Sequence, residues 1–373
     1  MAYLEINGLP MRGSTEGFEP TVSLSLEKGR GLSVLSDDGR LSRSLVDVLM
    51  GRERFLGEIY LNGMRIDPMP PRKRAIRILG DTSGIIPSRT VQENLEIALR
   101  KRAVSEGEAA MLVERELTEG ALAGLAESSA GSLDSSARTI LAATRALFMG
   151  CDLLLITSLP VPGGRDEIRC FNPGAQLDTL LALKSLLRRL RATWVSLLPD
   201  SGCAHILSDR IAVFASGLLV QEGGLRECIN APSSRMIADL LTFPRMNYRT
   251  MLVERDGPFV MLRSGRYGFR VSEYIKRAVI PREGEEVVLG IRPEDSGFRP
   301  YETGDPTVMN LAKVTGVDAL PANLVVRLDL EGDEWVSLVE PNRAVFSGQL
   351  IELRPDPDRI HLFHPAHGSS LLD

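Results

Sequence analysis

"VLSDDGRLSRSLVDVLMG", residues 34–51, decides how the rest of the chain is read. An apolar strand end runs into a short polar turn around Gly39, and an amphipathic helix follows and stops at Gly51. Strand, turn and helix N-terminus form the frame in which backbone N–H groups hold a phosphate. The residues that would complete it, G-x-x-x-x-G-K-[ST], are missing. The eight positions read Ser36, Asp37, Asp38, Gly39, Arg40, Leu41, Ser42 and Arg43. Asp37 and Asp38 stand where phosphates would lie, and a like-charge pair ~4 Å apart at an effective dielectric of ~20 repels by about 4 kcal/mol. Arg40 or Arg43 would offset part of that, leaving binding impaired rather than excluded, and the leading reading of the two aspartates is as caps on a helix starting near Leu41.

Outward from this stretch, strands and helices alternate. Residues 2–8 alternate like an edge strand, and residues 21–29 alternate and stop at Gly29. Residues 57–66 read as a hairpin with Asn62-Gly63 as a type I′ turn. Thr90 as N-cap and Glu93 at the capping-box position open a helix, and helical text runs on to about residue 127. A Ser/Gly loop then feeds a long helix ending near 150. A buried strand (151–160), an insertion-like loop (160–174) and an amphipathic helix (175–192) follow. Residues 193–200, 209–217 and 218–224 read as strands, the last two a hairpin through Ser216-Gly217. This order predicts a parallel sheet with helices on both faces. Beyond about residue 245, short strands and Gly/Pro/Asp turns predict a small all-β barrel.

The bulk numbers fit that picture. The 373 residues suit two domains, and 43% apolar with 25% charged residues supports a sizeable core. A net charge of −5 argues against nucleic acid as a partner. Cys151, Cys170, Cys203 and Cys228 lack metal-ligand spacing and suit a reducing compartment. No apolar run approaches the roughly 18 residues of a membrane span, and the N-terminus lacks a signal-peptide pattern. A soluble or peripherally attached protein is expected. His361, His364 and His367 read as surface histidines, and no metal site is predicted. No Ser-His-Asp or Cys-His constellation is evident.

Six fragments in one order carry a family resemblance: "EIYLNGMRID" with "PPRKRAIRIL" (58–79), "IIPSRTVQENLEIAL" (85–99), "ILSDRIAVFASGLLVQEG" (206–223), "FPRMNY" (243–248), "LGIRPED" (289–295) and "IHLF" (360–363). Together they resemble an ABC-transporter ATPase of the subfamily that drives sugar and polyol importers, over nearly the whole chain. The resemblance implies an α/β, P-loop ABC-ATPase-like domain at 1–240, with a helical subdomain near 90–150. A small all-β, OB-like (TOBE/MOP-type) regulatory domain at 241–373 is implied after it. On that frame the P-loop lysine position holds Ser42 and the Mg²⁺-binding hydroxyl position holds Arg43. The Q-loop glutamine position holds Asp81, and the "LSGGQ" signature reads Leu133, Asp134, Ser135, Ser136, Ala137. The Walker B aspartate position holds Thr157, the general-base position Ser158 and the switch-histidine position Pro199. Of the D-loop, only Asn172 keeps a plausible place.

No catalytic position is intact, so the resemblance implies weak ATP binding and no Mg²⁺ at the chain's own P-loop. It also implies a paralogous intact ABC ATPase and two transmembrane permease subunits as partners. A permease coupling helix would dock near residues 81–105. The place implied is the cytoplasmic face of the membrane, peripherally. The leading expectation is a degenerate nucleotide-binding subunit of an importer for a sugar, polyol or glycerol-like solute. A non-transport regulatory or scaffold protein reusing the fold is the alternative. An active ATPase using Asp152 and Asp200 ranks last, because Asp152 opens the Walker B strand at its wrong end.

Overall fold

The computed structural model describes residues 2–10, 21–36, 39–53, 57–80, 84–100, 102, 104–158, 175–198, 201–216, 218–301, 310–320 and 322–372. The chain packs as two compact units, Met1–Leu225 and Arg226–Asp373. Residues 226–240, read above with the first domain, cluster with the second.

The first unit runs β1 (Leu4–Pro10), β2 (Thr21–Leu26), β3 (Gly31–Ser36), α1 (Gly39–Leu49), β4 (Glu58–Leu61), β5 (Met64–Arg65), β6 (Ile76–Leu79), α2 (Val91–Arg100), α3 (Glu106–Thr118), α4 (Ser135–Phe148), β7 (Leu153–Ile156), α5 (Ala175–Arg189), β8 (Trp194–Ser196), α6 (Ser201–Leu207), β9 (Arg210–Ala215) and β10 (Leu218–Gly224). Its main sheet has the order β10-β9-β3-β8-β7-β6. Five of these strands are parallel and β10 is antiparallel. Both faces are buried. Leu153 and Leu155 of β7 join one apolar cluster, while Leu154 and Ile156 join the other. That two-residue alternation is why these strands read as continuous apolar runs. On one face α1 inserts Leu41, Leu45, Val48 and Leu49, a helical stripe. On the other lie apolar residues of α2, α4, α5 and α6.

A second, antiparallel sheet has the order β2-β1-β4-β5. β1 pairs with both β2 and β4, so it is an inner strand, not the edge strand its alternation suggested. The β4–β5 turn is the expected type I′. Asn62 and Gly63 take φ of 53° and 74°, the left-handed pair that matches strand twist. The helix predicted from Thr90 forms with its capping box complete. Glu93 N donates to Thr90 Oγ1 (3.1 Å), and Thr90 N donates to Glu93 Oε2 (2.9 Å). Helix does not run on to 127, since α2 ends at Arg100 and α3 at Thr118.

The second unit follows α7 (Leu225–Asn230), which spans the boundary, with α8 (Arg235–Leu241), β11 (Asn247–Asp256), β12 (Phe259–Ser264), β13 (Tyr267–Arg270), α9 (Glu273–Val279), β14 (Glu286–Ile291), β15 (Phe298–Pro300), β16 (Leu311–Ala319), β17 (Leu324–Leu330), β18 (Asp333–Val339), β19 (Leu350–Leu353) and β20 (His361–Phe363). Beyond residue 246 it is built mainly of strand, in two five-stranded sheets, β13-β12-β11-β14-β20 and β15-β19-β16-β17-β18. The short motifs at its start and end meet in space. Met246 and Phe363 share one buried cluster, and a Cβ on Gly290 would come within 2.6 Å of the Met246 sulfur. The Asn247 amide exchanges two hydrogen bonds with the Val336 backbone, tying β11 to β18. His361 is buried in β20, contrary to its reading as a surface histidine.

Candidate functional site

In a doubly wound sheet, ligands bind beyond the carboxyl ends of the parallel strands. At that edge β3 ends at Ser36 and α1 begins at Gly39, so the strand and the helix of the opening stretch both form. Only Asp37 and Asp38 separate the two elements, and both lie outside the described residues. The helix starts at Gly39, before the expected Leu41. Leu41 is buried in the core, Ser42 is half-buried and Arg43 is exposed. Nothing is described of the Arg40 side chain. The far end of α1 is closed by Arg74 of the "PPRKR" stretch, which donates to the Val48 and Leu49 carbonyls at 2.6 and 2.8 Å. A buried cation on the last carbonyls of a helix satisfies orphan acceptors and opposes the dipole.

Two strands along, β7 ends in Thr157 and Ser158. Thr157 N donates to Leu79 O at 3.1 Å, extending the ladder with β6, and its hydroxyl reaches the same oxygen at 3.4 Å. Both hydroxyls stand 3.2 Å from where a Cβ on Gly80 would lie. Among the described residues at this edge, Ser36, Gly80, Thr157, Ser158 and Ser216 bring hydroxyls or no side chain, and no charge. Asp81, Pro199, Asp200, Asn172 and Cys170 lie outside the described residues. Asp152 stands at the opposite, amino end of β7. There it accepts a hydrogen bond from Tyr3 Oη at 3.1 Å, and burial beside this carboxylate pushes the Tyr3 phenol up. It therefore cannot serve the carboxyl edge.

The signature positions open α4. Leu133 is buried. Asp134 is the N-cap, its carboxylate accepting from Ala137 N at 2.7 Å. The Ser135 carbonyl accepts from the Thr139 hydroxyl, and Thr179 of α5 donates to Ser136 Oγ at 2.8 Å. Ala137 is half-buried. Arg138 braces the turn through the Gly131 and Leu133 carbonyls. The capping role of Asp134 was open to sequence reading, since Asp before a helical run is a preferred N-cap.

Sequence reading missed a polar clamp on residues 84–90. Asn94 of α2 is fully buried. Its amide accepts from Ile86 N (2.9 Å) and donates to Ile86 O (3.0 Å) and Thr90 O (2.9 Å). Arg145 of α4 donates through Nη1 to the Asn94 carbonyl and to Asn94 Oδ1 (3.0 Å), and through Nη2 to Gly84 O (2.9 Å). Residues 84–90 are thus held to two helices by one amide and one guanidinium. Burial pushes the Arg145 guanidinium down from its ordinary value. A buried cation of this kind persists because oxygen acceptors surround it. Among the described residues, no cluster of three or more His, Cys, Asp or Glu could hold a metal ion.

No protein-family model matches the chain. Among curated proteins, it is 26% identical over 357 residues to the sn-glycerol-3-phosphate import ATP-binding protein UgpC 2 of Agrobacterium fabrum, covering 94% of this chain and 89% of that protein. It is 27% identical over 369 residues to the trehalose/maltose import ATP-binding protein MalK of Thermococcus litoralis, covering 94% of each. A solved nucleotide-free ATP-binding cassette from an ABC transporter matches at 18% identity and a TM-score of 0.48, over 65% of this chain and 99% of that one.

Proposed function

We propose that this chain, whose relatives over nearly its whole length are import ATP-binding proteins, is a nucleotide-binding-type subunit of an ABC importer that has lost its own hydrolysis and keeps its scaffold. The solute is a sugar, polyol or glycerol-like compound. The observation that carries this reading is the carboxyl edge of the main sheet. Where hydrolysis needs a lysine, metal ligands and a base, the family positions hold Ser42, Arg43, Thr157 and Ser158. A hydroxyl cannot replace a carboxylate as general base at neutral pH, a guanidinium cannot take the place of a Mg²⁺-binding hydroxyl, and losing a general base alone costs ~10²–10⁴ in rate. These residues do not fit a magnesium nucleotide.

The clamped segment 84–90 and the packed helical subdomain support the other half of the reading. They preserve a surface for a permease while the chemistry is absent. A paralogous intact ATPase would complete the dimer, and two permeases would sit above it. One composite site would then combine this chain's P-loop with the partner's signature and be dead. The other would use the partner's P-loop with Leu133–Ala137 of this chain. Among the described residues no helix is long and apolar enough to cross a membrane, so attachment would run through the permeases.

The test is an ATPase assay on the chain alone and in complex. Alone it hydrolyses no ATP above background. With an intact ATPase and two permeases, hydrolysis appears and disappears when the partner's Walker B glutamate is changed. A turnover of about 1 s⁻¹ by the chain alone would sink the reading. Failure to associate with any permease would favour a scaffold protein outside transport.

A further inference from the structure

The second unit contains a half-enclosed cavity of ≈ 450 Å³, within the roughly 300–1,000 Å³ of small-molecule sites. Its polar wall is built and held in place. Arg292, nearly buried, donates through Nε to Asp295 Oδ2 at 2.7 Å and through Nη1 to Asn230 Oδ1 at 2.9 Å. Arg359 Nη1 fixes the other Asp295 oxygen at 2.9 Å. These ties join the end of α7, the turn after β14 and the loop into β20, so the lining groups are pre-organised rather than loose.

The lining carries both signs of charge in equal number, Arg292 and Arg359 against Glu294 and Asp358. A phosphate or carboxylate ligand would meet the two carboxylates, and an ammonium ligand would meet the two guanidinium groups. A neutral ligand with many hydroxyls meets neither penalty. Carboxylates accept from hydroxyls, guanidinium groups donate to them, and an amide or serine does both. Asn230 supplies the amide, whose oxygen accepts from Arg292 and whose NH₂ can donate, while the Ser370 hydroxyl is held by the Leu372 backbone at 3.0 and 3.1 Å. Tyr274 stands at the rim, 68% exposed, a flat face for the C–H side of a sugar ring. We propose that this cavity binds a neutral polyhydroxylated small molecule of the sugar or polyol class. The site lies wholly in the second unit and stands whether or not the first unit hydrolyses ATP.

Calorimetric titration of the full chain with sorbitol, glucose, maltose and trehalose tests this, with glucuronate and glucosamine as the charged counterparts of glucose. At least one neutral probe binds saturably. Each charged counterpart binds at least about tenfold more weakly than the best neutral probe. Tyr274→Ala and Asp358→Asn change exposed side chains, so unfolding midpoints hold while affinity for the best probe falls at least about fivefold. No saturable binding by any neutral probe overturns the proposal. So does tighter binding of a charged counterpart, or undiminished binding in both variants.

Discussion

Gly80 and Gly84 belong to two regions of the first unit that are neighbours in sequence and opposite in character. At the carboxyl edge, around Gly80, the described side chains carry hydroxyls and no charge; the Thr157 hydroxyl reaches Leu79 O at 3.4 Å. In the segment from Gly84 to Thr90, one buried amide uses both of its atoms and one buried guanidinium uses both terminal nitrogens. A chain made to hydrolyse a nucleotide concentrates charge at the first region. A chain made to transmit or receive a push concentrates it behind the second. On the proposed reading, chemistry and mechanical connection part company within one fold.

The hardest blow to this contrast falls on Asn94. Asn94→Ala takes away one of the three Arg145 acceptors, the side-chain Oδ1, and leaves the buried Ile86 N–H and carbonyl without their amide partner, so stability falls by about 3–5 kcal/mol. Urea unfolding measures it. A loss under about 1 kcal/mol would put the segment on the same footing as the edge. Asn94→Asp, which offers Arg145 a carboxylate, recovers part of the loss.

Acid gives the next largest effect and separates the two units. Burial, with help from the Arg292 charge, lowers the His361 imidazole from 6.5 to about 4. The unfolded chain therefore binds a proton that the folded chain refuses between those values. Stability contributed by neutral His361 is whole above pH 6.5 and is lost as pH falls to about 4, by about 3 kcal/mol in all. Comparisons within the first unit are therefore clean only above that window. In His361→Gln the fall across the window shrinks by that amount. A parent curve that is flat from pH 6.5 to 4 would show that His361 does not carry it.

Much of this was legible beforehand because local rules and packing agree. The Asn62-Gly63 turn, the Thr90–Glu93 box and the apolar strands each have a signal confined to a few residues. The helix that fades after Arg100 and the inner position of β1 were not legible. Helix length and strand neighbours are set by partners distant in sequence, such as Glu58–Leu61 beside β1. The Asn94–Arg145 clamp joins residues 51 apart, and neither carries a local mark of burial. At the carboxyl edge the sequence could name absences at Ser42, Thr157 and Ser158. Only the structure showed that two of those hydroxyls press against Gly80.

The edge itself should yield little. Thr157→Val, which removes a hydroxyl 3.4 Å from Leu79 O, and Ser158→Ala, which removes a neutral strand-end hydroxyl, each cost less than about 1 kcal/mol, because a neutral hydrogen bond contributes little net of water. Neither changes the ATPase rate of the complex. A loss above about 2 kcal/mol in either variant would reveal an edge held as firmly as the clamped segment and dissolve the contrast.

The smallest effect on stability, and the sharpest on function, is expected at Asp134. Its carboxylate caps α4 through Ala137 N. Serine caps a helix about as well as aspartate, so Asp134→Ser should shift stability by no more than about 0.5 kcal/mol. On the proposed reading this residue faces the partner's nucleotide in the one live composite site. There a carboxylate repels phosphate and offers no donor, whereas a hydroxyl can donate. The ATPase rate of the complex should therefore rise in Asp134→Ser while the unfolding curve stays put. Asp134→Ala, which removes both cap and charge, separates the two roles: it costs about 1 kcal/mol and raises the rate less, having no donor to offer. If Asp134→Ser leaves both stability and rate unchanged, Asp134 is a helix cap and nothing more. The carboxylate would then belong with the scaffold, and the partner's nucleotide would have to find its second wall elsewhere.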